Sequence, residues 1–391
     1  MHWSGIVARN RRAQADLTDV EAFIDGLYGT DLHAKRIVPL AGATLGVMQV
    51  ASLAVAMIGQ ALARGLVTKP AVKQVDRLLS NEGIDVWDCF ARWVPPQIGE
   101  RRDLLVAMDW TEFAHDDQAS LVLSLITGHG RAAPLIWLSV WKDELTKQRN
   151  DFADACLCRL AELVPAGCRV TILADRGFGD QKLFGFLPTL GFGYVICFRG
   201  NIRVTSADGE ARPAADWLGQ GGRARKLADA RLTAKGQPVG AVVCVHAKDM
   251  KEPWCLATSE RDATAATLIN HYARRWTIEP QFRDTKDLRF SMGLSATRIS
   301  EPTRRDRLLL ISAFAPTLLT LLGAVGESLG MDRLLKSNTS KTRTHALFRQ
   351  GCMLDELIPN MPEHRLRPLI EKFAQAVSNA GVFIPAIAGG K

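Results

Sequence analysis

The chain has 391 residues, which is long enough for two or three domains with real cores, and its 47% hydrophobic and 23% charged content excludes a disordered or fibrous protein. The net charge of +8 favours a polyanionic partner, and the excess is local: residues 1–100 carry ten Lys/Arg against ten Asp/Glu, residues 201–310 nineteen against thirteen. Eight cysteines without a Cys-x-x-Cys pair, several inside apolar runs, exclude a disulfide frame and a zinc site and indicate thiols in a reducing, cytoplasmic compartment.

Met1 to Arg12 lacks the apolar core of a signal peptide. Residues 13–100 read as helical. Asp16 to Tyr28 predicts a short helix, and the Thr44 to Ala63 region a buried one that Gly65 follows as a stop. Thr68-Lys69-Pro70 then opens another helix, with Thr68 as N-cap. Its core stripe is Val72, Val75, Leu78 and Leu79, while Lys69, Lys73 and Arg77 recur at i, i+4, i+8 along another face. A helix, a tight turn and a basic-striped helix fit helix-turn-helix DNA recognition, and fit equally an amphipathic helix with a solvated face. Trp93 to Gly99, with two prolines, reads as a linker. Ile37 to Ala63 and Leu308 to Gly326 imitate membrane spans, but their polar and small residues favour buried bundle helices.

Leu104–Asp109, Ser120–Thr127 and Ala133–Val140 predict an antiparallel meander, with a turn at Gly128-His129-Gly130. A helix over Asp151–Leu163, a strand over Arg169–Asp175, a helix over Gln181–Leu190 and a strand over Gly193–Arg199 follow. Asp109 and Asp175 each end a short apolar run, the end of a strand where open α/β sheets place their chemistry. Glu112, three residues past the first strand end, is the rival ligand, and His115, Asp116 and Asp117 read as a solvated turn. Residues 200–258 are richer in Gly and Ala, with strands expected at Val239–His246 and Trp254–Thr258.

A helix expected over Ala263–Leu288 brings Tyr272, Arg275, Glu279, Phe282 and Lys286 within about a quarter-turn of one another, with a kink expected at Pro280. Arg275 and Glu279 at i,i+4 make an ordinary surface salt bridge if nothing meets them. Two strand-end acids and a helix acid, each with an apolar lead-in, make a carboxylate cluster instead. Three hard oxygen ligands suit Mg²⁺ or Mn²⁺, and two such ions about 4 Å apart serve phosphodiester cleavage. Arg275 and Lys286 fit phosphate clamping, whereas Arg304, Arg305 and Arg307 read as a solvated cluster. Residues 331–391 are basic and then helical, over Leu354–Pro359 and Leu366–Asn379.

The pattern Tyr272-x2-Arg275-x3-Glu279-x6-Lys286 resembles the Tyr-Arg-Glu-Lys signature of bacterial DDE transposases of the insertion-sequence-four family, the closest likeness being to the Tn-ten type. Met108-Asp109-Trp110, His129-Gly130-Arg131, Lys251 to Thr258, and Gly293-Leu294 with Arg304 to Leu310 resemble that type as well, over roughly residues 100 to 350. The resemblance implies an α/β fold: a ribonuclease-H-like mixed sheet over 101–199 and 259–330, interrupted by a mainly β insertion domain over 200–258. A helical DNA-binding region over 1–100 and a C-terminal helical region over 331–391 flank it. The implied catalytic and metal-binding triad is Asp109, Asp175 and Glu279, holding two Mg²⁺ or Mn²⁺ ions. Tyr272, Arg275 and Lys286 accompany it as DNA-binding residues, with Lys69, Lys73 and Arg77 on the basic helix. Trp254 matches a Trp of the family and fits either stacking on an extruded base or a place in the core. The implied activity is cut-and-paste transposition on double-stranded DNA, namely the element's terminal inverted repeats and its target, by a homodimer that needs no membrane. A nuclease of the same fold without strand transfer, and a DNA-binding protein on a transposase scaffold, are the rival functions.

Overall fold

A computed structural model describes residues 17–63, 67–128, 131–248, 250–286 and 292–378. The expected turn residues His129 and Gly130, the stop at Gly65, the first residues of the chain and the last turn expected at Leu288 lie outside them.

Five helices come first: α1 Leu17–Tyr28, α2 Ala34–Val50, α3 Val55–Ala63, α4 Thr68–Leu79 and α5 Val86–Ile98. The single buried helix expected around 44–63 is two helices, bent 97° at residues 51–54, where Ala51 takes a left-handed conformation. A Cβ on Gly59 of α3 would stand 2.5 Å from the Val72 Cα of α4, so glycine permits that close crossing. Thr68 is not the N-cap expected of it: Val67 holds that position, without a side-chain cap. The supposed linker is the last turn of α5, with Trp93, Val94 and Ile98 fully buried. Trp93 Nε1 donates to the Pro134 carbonyl at 2.8 Å, so the segment is a core anchor.

The main sheet has eight strands in the order β3-β2-β1-β4-β5-β12-β11-β8. β1 (Asp103–Phe113), β2 (Gln118–Ile126) and β3 (Ala132–Trp141) form the antiparallel meander. After α6 (Leu145–Leu163), β4 (Arg169–Ala174) lies parallel to β1, and after α7 (Gln181–Thr189), β5 (Gly193–Phe198) lies parallel to β4. Residues 200–258 supply two sets of strands. β6 (Arg203–Thr205), β7 (Ala211–Pro213), β9 (Arg231–Leu232) and β10 (Gln237–Pro238) form a small separate sheet. β8 (Arg225–Ala228), β11 (Ala241–Val245) and β12 (Trp254–Thr258) extend the main sheet antiparallel beyond β5.

One face of the sheet joins the principal core. The other carries a smaller one, in which Leu268, Tyr272 and Ile278 pack on Ala107, Leu173, Val195, Cys197, Val243 and Leu256. Leu268 and Tyr272 belong to α8 (Ala265–Arg274) and Ile278 begins α9 (Ile278–Lys286), with a 3-10 turn over 275–277 between the two. The long kinked helix expected here is therefore two helices. Pro280 sits in the first turn of α9, where its missing N–H leaves no helical bond unmade.

α10 (Pro302–Ser328) is long and apolar enough to cross a membrane, but 72% of its apolar stretch is buried inside the protein, against α2, β3, α11 (Leu347–Leu357) and α12 (Glu363–Ser378). The arginines at its start are not the solvated cluster expected. Arg305 is fully buried, pairs with Asp116, donates to Gln118 at 2.7 Å and lies 3.8 Å from the centre of the Phe113 ring. Asp116 is correspondingly removed from solvent. Arg307 donates at 2.9 Å to the carbonyls of Leu79 and Ile84, and Arg304 pairs with Asp76 at 2.6 Å. A guanidinium has five donors, so each arginine satisfies carbonyls or carboxylates that a helix end or turn leaves open.

Asp306 lies between these arginines, and burial pushes its carboxyl up to about 8 although it accepts from Ser139 N at 3.0 Å. The folded chain thus holds this proton more tightly than the unfolded one, whose reference value is 3.8. This group's contribution is fully present below about 4 and falls as pH rises to about 8. Asp306→Asn, which does not titrate, is expected to gain on the wild type by a few kcal/mol across that window in urea unfolding. A constant difference would show that Asp306 does not titrate there.

Candidate active site

The site begins with strand register. Met108 of β1 pairs with Ala174 of β4, so Asp109 and Asp175 stand one step further on, side by side on neighbouring parallel strands. Such strands run about 4.8 Å apart, which brings the two carboxylates into each other's field. β1 continues to Phe113, so Asp109 lies within the strand where β4 has already ended, and Glu112 is a strand residue, not one beyond the strand end. Glu112 is exposed and pairs with Lys142 at 2.9 Å. Asp175 caps the next turn through its Oδ1, which accepts from Gly177 N at 2.8 Å.

The 3-10 turn between α8 and α9 then delivers Arg275 and Glu279. Arg275 is buried, and its Nη1 stands 3.4 Å from Asp109 Oδ2 while its Nη2 stands 3.7 Å from Glu279 Oε1. Its Nε has no partner among the described residues. The i,i+4 pair read from the sequence is thus one arm of a bridge between a strand acid and a helix acid. Glu279 is half exposed, so its carboxylate is open to solvent.

Desolvation raises the Asp109 carboxyl to about 6. Arg275 opposes that rise, while the charges of Asp175 and Glu279 add to it. The charges of Asp175 and Glu279 are therefore both felt at Asp109. Among the described residues, no three His, Cys, Asp or Glu side chains are gathered tightly enough to hold a metal ion as they stand. The donor set nonetheless fits a hard divalent cation: three carboxylates on three elements, with a desolvated, mutually repelling acid that positive charge would relieve.

The accompanying residues take different places. Tyr272 is buried on the sheet, its ring 4.8 Å from that of Trp254 in an edge-to-face pair and 5.7 Å from the Arg275 guanidinium. Trp254 is partly buried on the first residue of β12. Lys286 reaches back to β1, donating to Glu112 O at 2.8 Å and Thr111 Oγ1 at 3.0 Å. Burial holds its ammonium below the usual lysine range. Lys69, Lys73 and Arg77 are exposed on α4, in the N-terminal region and outside this cluster. Three aromatic neighbours have no role in the sequence reading. Trp276 is half exposed, 5.4 Å from the Arg275 guanidinium, and Trp110 and Phe178 follow the two strand-end acids and share Arg149. For Trp110 and Phe178, one and three residues after those acids, that closeness in the chain was the available signal.

Residues 144–315 match the family model of the transposase DDE domain, which supports a DDE transposase. The match includes Asp175 and Glu279 and stops short of Asp109. No curated protein matches the chain.

Replacing Arg275 by Ala removes the cation that restrains Asp109, so the Asp109 carboxyl is expected to titrate about one unit or more above 6 in metal-free protein. Carboxyl-carbon NMR titration measures this, and an unchanged value would show that the bridge is not electrostatically felt.

Proposed function

We propose that the protein is a cut-and-paste DNA transposase whose catalytic and metal-binding residues are Asp109, Asp175 and Glu279. The observation that carries this reading is the bridge from Asp109 through Arg275 to Glu279, closed beside Asp175, within a chain that matches a transposase DDE domain. The 3-2-1-4-5 order of the first five strands, with only β2 reversed between its neighbours β1 and β3, supports a ribonuclease-H-like core over 101–199 and 259–330. Residues 200–258 are its β-rich insertion, 1–100 a DNA-binding region reading through Lys69, Lys73 and Arg77, and 331–391 a C-terminal helical region.

The three acids would hold two Mg²⁺ or Mn²⁺ ions, which when bound activate an attacking oxygen and stabilise the leaving one. The chain's own residues supply the rest. Asp109 and Asp175 are fixed by strand register, and Glu279 is carried to them by a helix anchored on the sheet. Arg275, which balances the acids in the free protein, turns to the phosphate when DNA enters, with Lys286 beside it. Trp254, resting edge-on against Tyr272, offers a face to an unstacked base. Each step is an in-line displacement at phosphorus: water releases a 3′-OH at the element's end, that hydroxyl attacks the opposite strand to give a hairpin, a second water reopens the hairpin, and the freed 3′-OH attacks target DNA. One site serves every step because each needs positioning and charge stabilisation alone. Two element ends call for a homodimer acting in the cytoplasm on the terminal inverted repeats and the target.

A plasmid carrying the gene's own flanking repeats tests this. Wild type with Mg²⁺ is expected to cut at the flanks, and Glu279→Gln to bind the same DNA and cut at background level. Equal cutting by both proteins would remove Glu279 from the site, and binding without cutting by either, in Mg²⁺ or Mn²⁺, would leave a DNA-binding protein on a transposase scaffold.

A further inference from the structure

Around the three acids, four cations are engaged with the protein itself. Arg275 bridges Asp109 and Glu279, Arg176 pairs with Glu252, Arg131 with Asp284, and Lys286 donates to β1. Arg149 differs. It is exposed in the second turn of α6, and its guanidinium carbon lies 5.6 Å from the centre of the Trp110 ring and 6.0 Å from that of Phe178. Trp110 follows Asp109 directly and Phe178 comes three residues after Asp175, so one cation rests against rings set by both strand ends. Among the described residues, no carboxylate or carbonyl takes a hydrogen bond from it. Glu112, the acid whose charge it feels, is paired with Lys142.

A guanidinium held by aromatic rings keeps its N–H edge free, and two parallel N–H groups match two oxygens of a phosphate. Resting on the cation-attracting ring faces also orders the side chain in advance, which lowers the entropy lost when it binds. We infer that Arg149 grips a backbone phosphate of the DNA strand that enters the site, next to the phosphate being cleaved. This rests on the reading of the protein as a DNA-cutting enzyme and adds to it a positioning residue that does not touch the reacting atoms. The grip is to backbone, so it is indifferent to base sequence.

The test is the salt dependence of binding. A duplex carrying the element's own end is titrated with wild type, Arg149→Ala and Arg149→Lys in Ca²⁺, between 50 and 200 mM KCl, after equal thermal unfolding midpoints establish that all three are folded. Each phosphate neutralised contributes about 0.9 to the slope of log affinity against log salt. Arg149→Ala is expected to lose about 0.9 from that slope, so the wild-type advantage shrinks about 3.5-fold over the fourfold salt range. Arg149→Lys is expected to keep the wild-type slope with weaker binding, because charge remains without the two-pronged geometry. An Arg149→Ala slope equal to a steep wild-type one would overturn the inference and leave the transposase reading intact. A wild type that does not bind the duplex would overturn both.

Discussion

The structure of the site depends on one packing contact: the seat of α8 and the first turn of α9 on the sheet. Leu268, Tyr272 and Ile278 bury against the β1, β4, β5, β11 and β12 strands, at about 1.5–3 kcal/mol for each large apolar side chain. Strand register alone brings Asp109 and Asp175 together, but the next acid on β1, Glu112, is exposed and paired with Lys142. The apolar seat supplies the third acid indirectly: it fixes the residues on either side of the 3-10 turn, and the turn presents Arg275 and Glu279 to the strand ends. A slip of the helix by one residue would rotate this face by about 100° and take both side chains away.

The same seat creates an electrostatic cost. Asp109 is desolvated and faces two other acids, so its charged form is disfavoured despite an arginine 3.4 Å away. Gathering acids against their mutual repulsion costs stability, and carboxyls perturbed in this way cluster at functional sites. Arg275 makes the arrangement tolerable in the free protein. Its contacts at 3.4 and 3.7 Å are loose, and its Nε remains unpaired, so the bridge leaves the guanidinium with unused capacity for a phosphate.

Much of this was legible in the residues. Asp109 and Asp175 end apolar runs of strand length and Glu279 is the one acid on its helix face, so the pattern singles out three positions that the resemblance then names as a triad. Errors arose where a buried side chain answers a need that lies elsewhere in the chain. Arg305 looks solvated until Asp116, Gln118 and the Phe113 ring, nearly two hundred residues earlier, are seen to surround it. Pro95 and Pro96 read as a linker because prolines break helices in mid-course, yet they fall in the final turn of α5, whose preceding face is core. Pro280 misled in the opposite direction, since its tolerance in a first turn was visible only once the helix was known to begin at Ile278.

The arginines of α10 also explain how the two halves of the molecule are held in register. Arg304 and Arg307 fasten the helix to the end of α4 and the turn after it, while Arg305 fastens it to the β1–β2 hairpin. α4 carries Lys69, Lys73 and Arg77, and β1 carries Asp109. One short stretch of helix therefore ties the basic face of the N-terminal region to the strand that bears the first acid, by hydrogen-bonded contacts of which those of Arg305 to Gln118 and of Arg307 are buried. Long apolar contacts alone allow sliding, because dispersion and burial are nearly indifferent to small shifts along a helix axis. Directional donors do not, and a guanidinium that satisfies two carbonyls fixes both the distance and the angle between the elements it joins. If α4 meets DNA, this is the linkage that sets how far from the acids it does so.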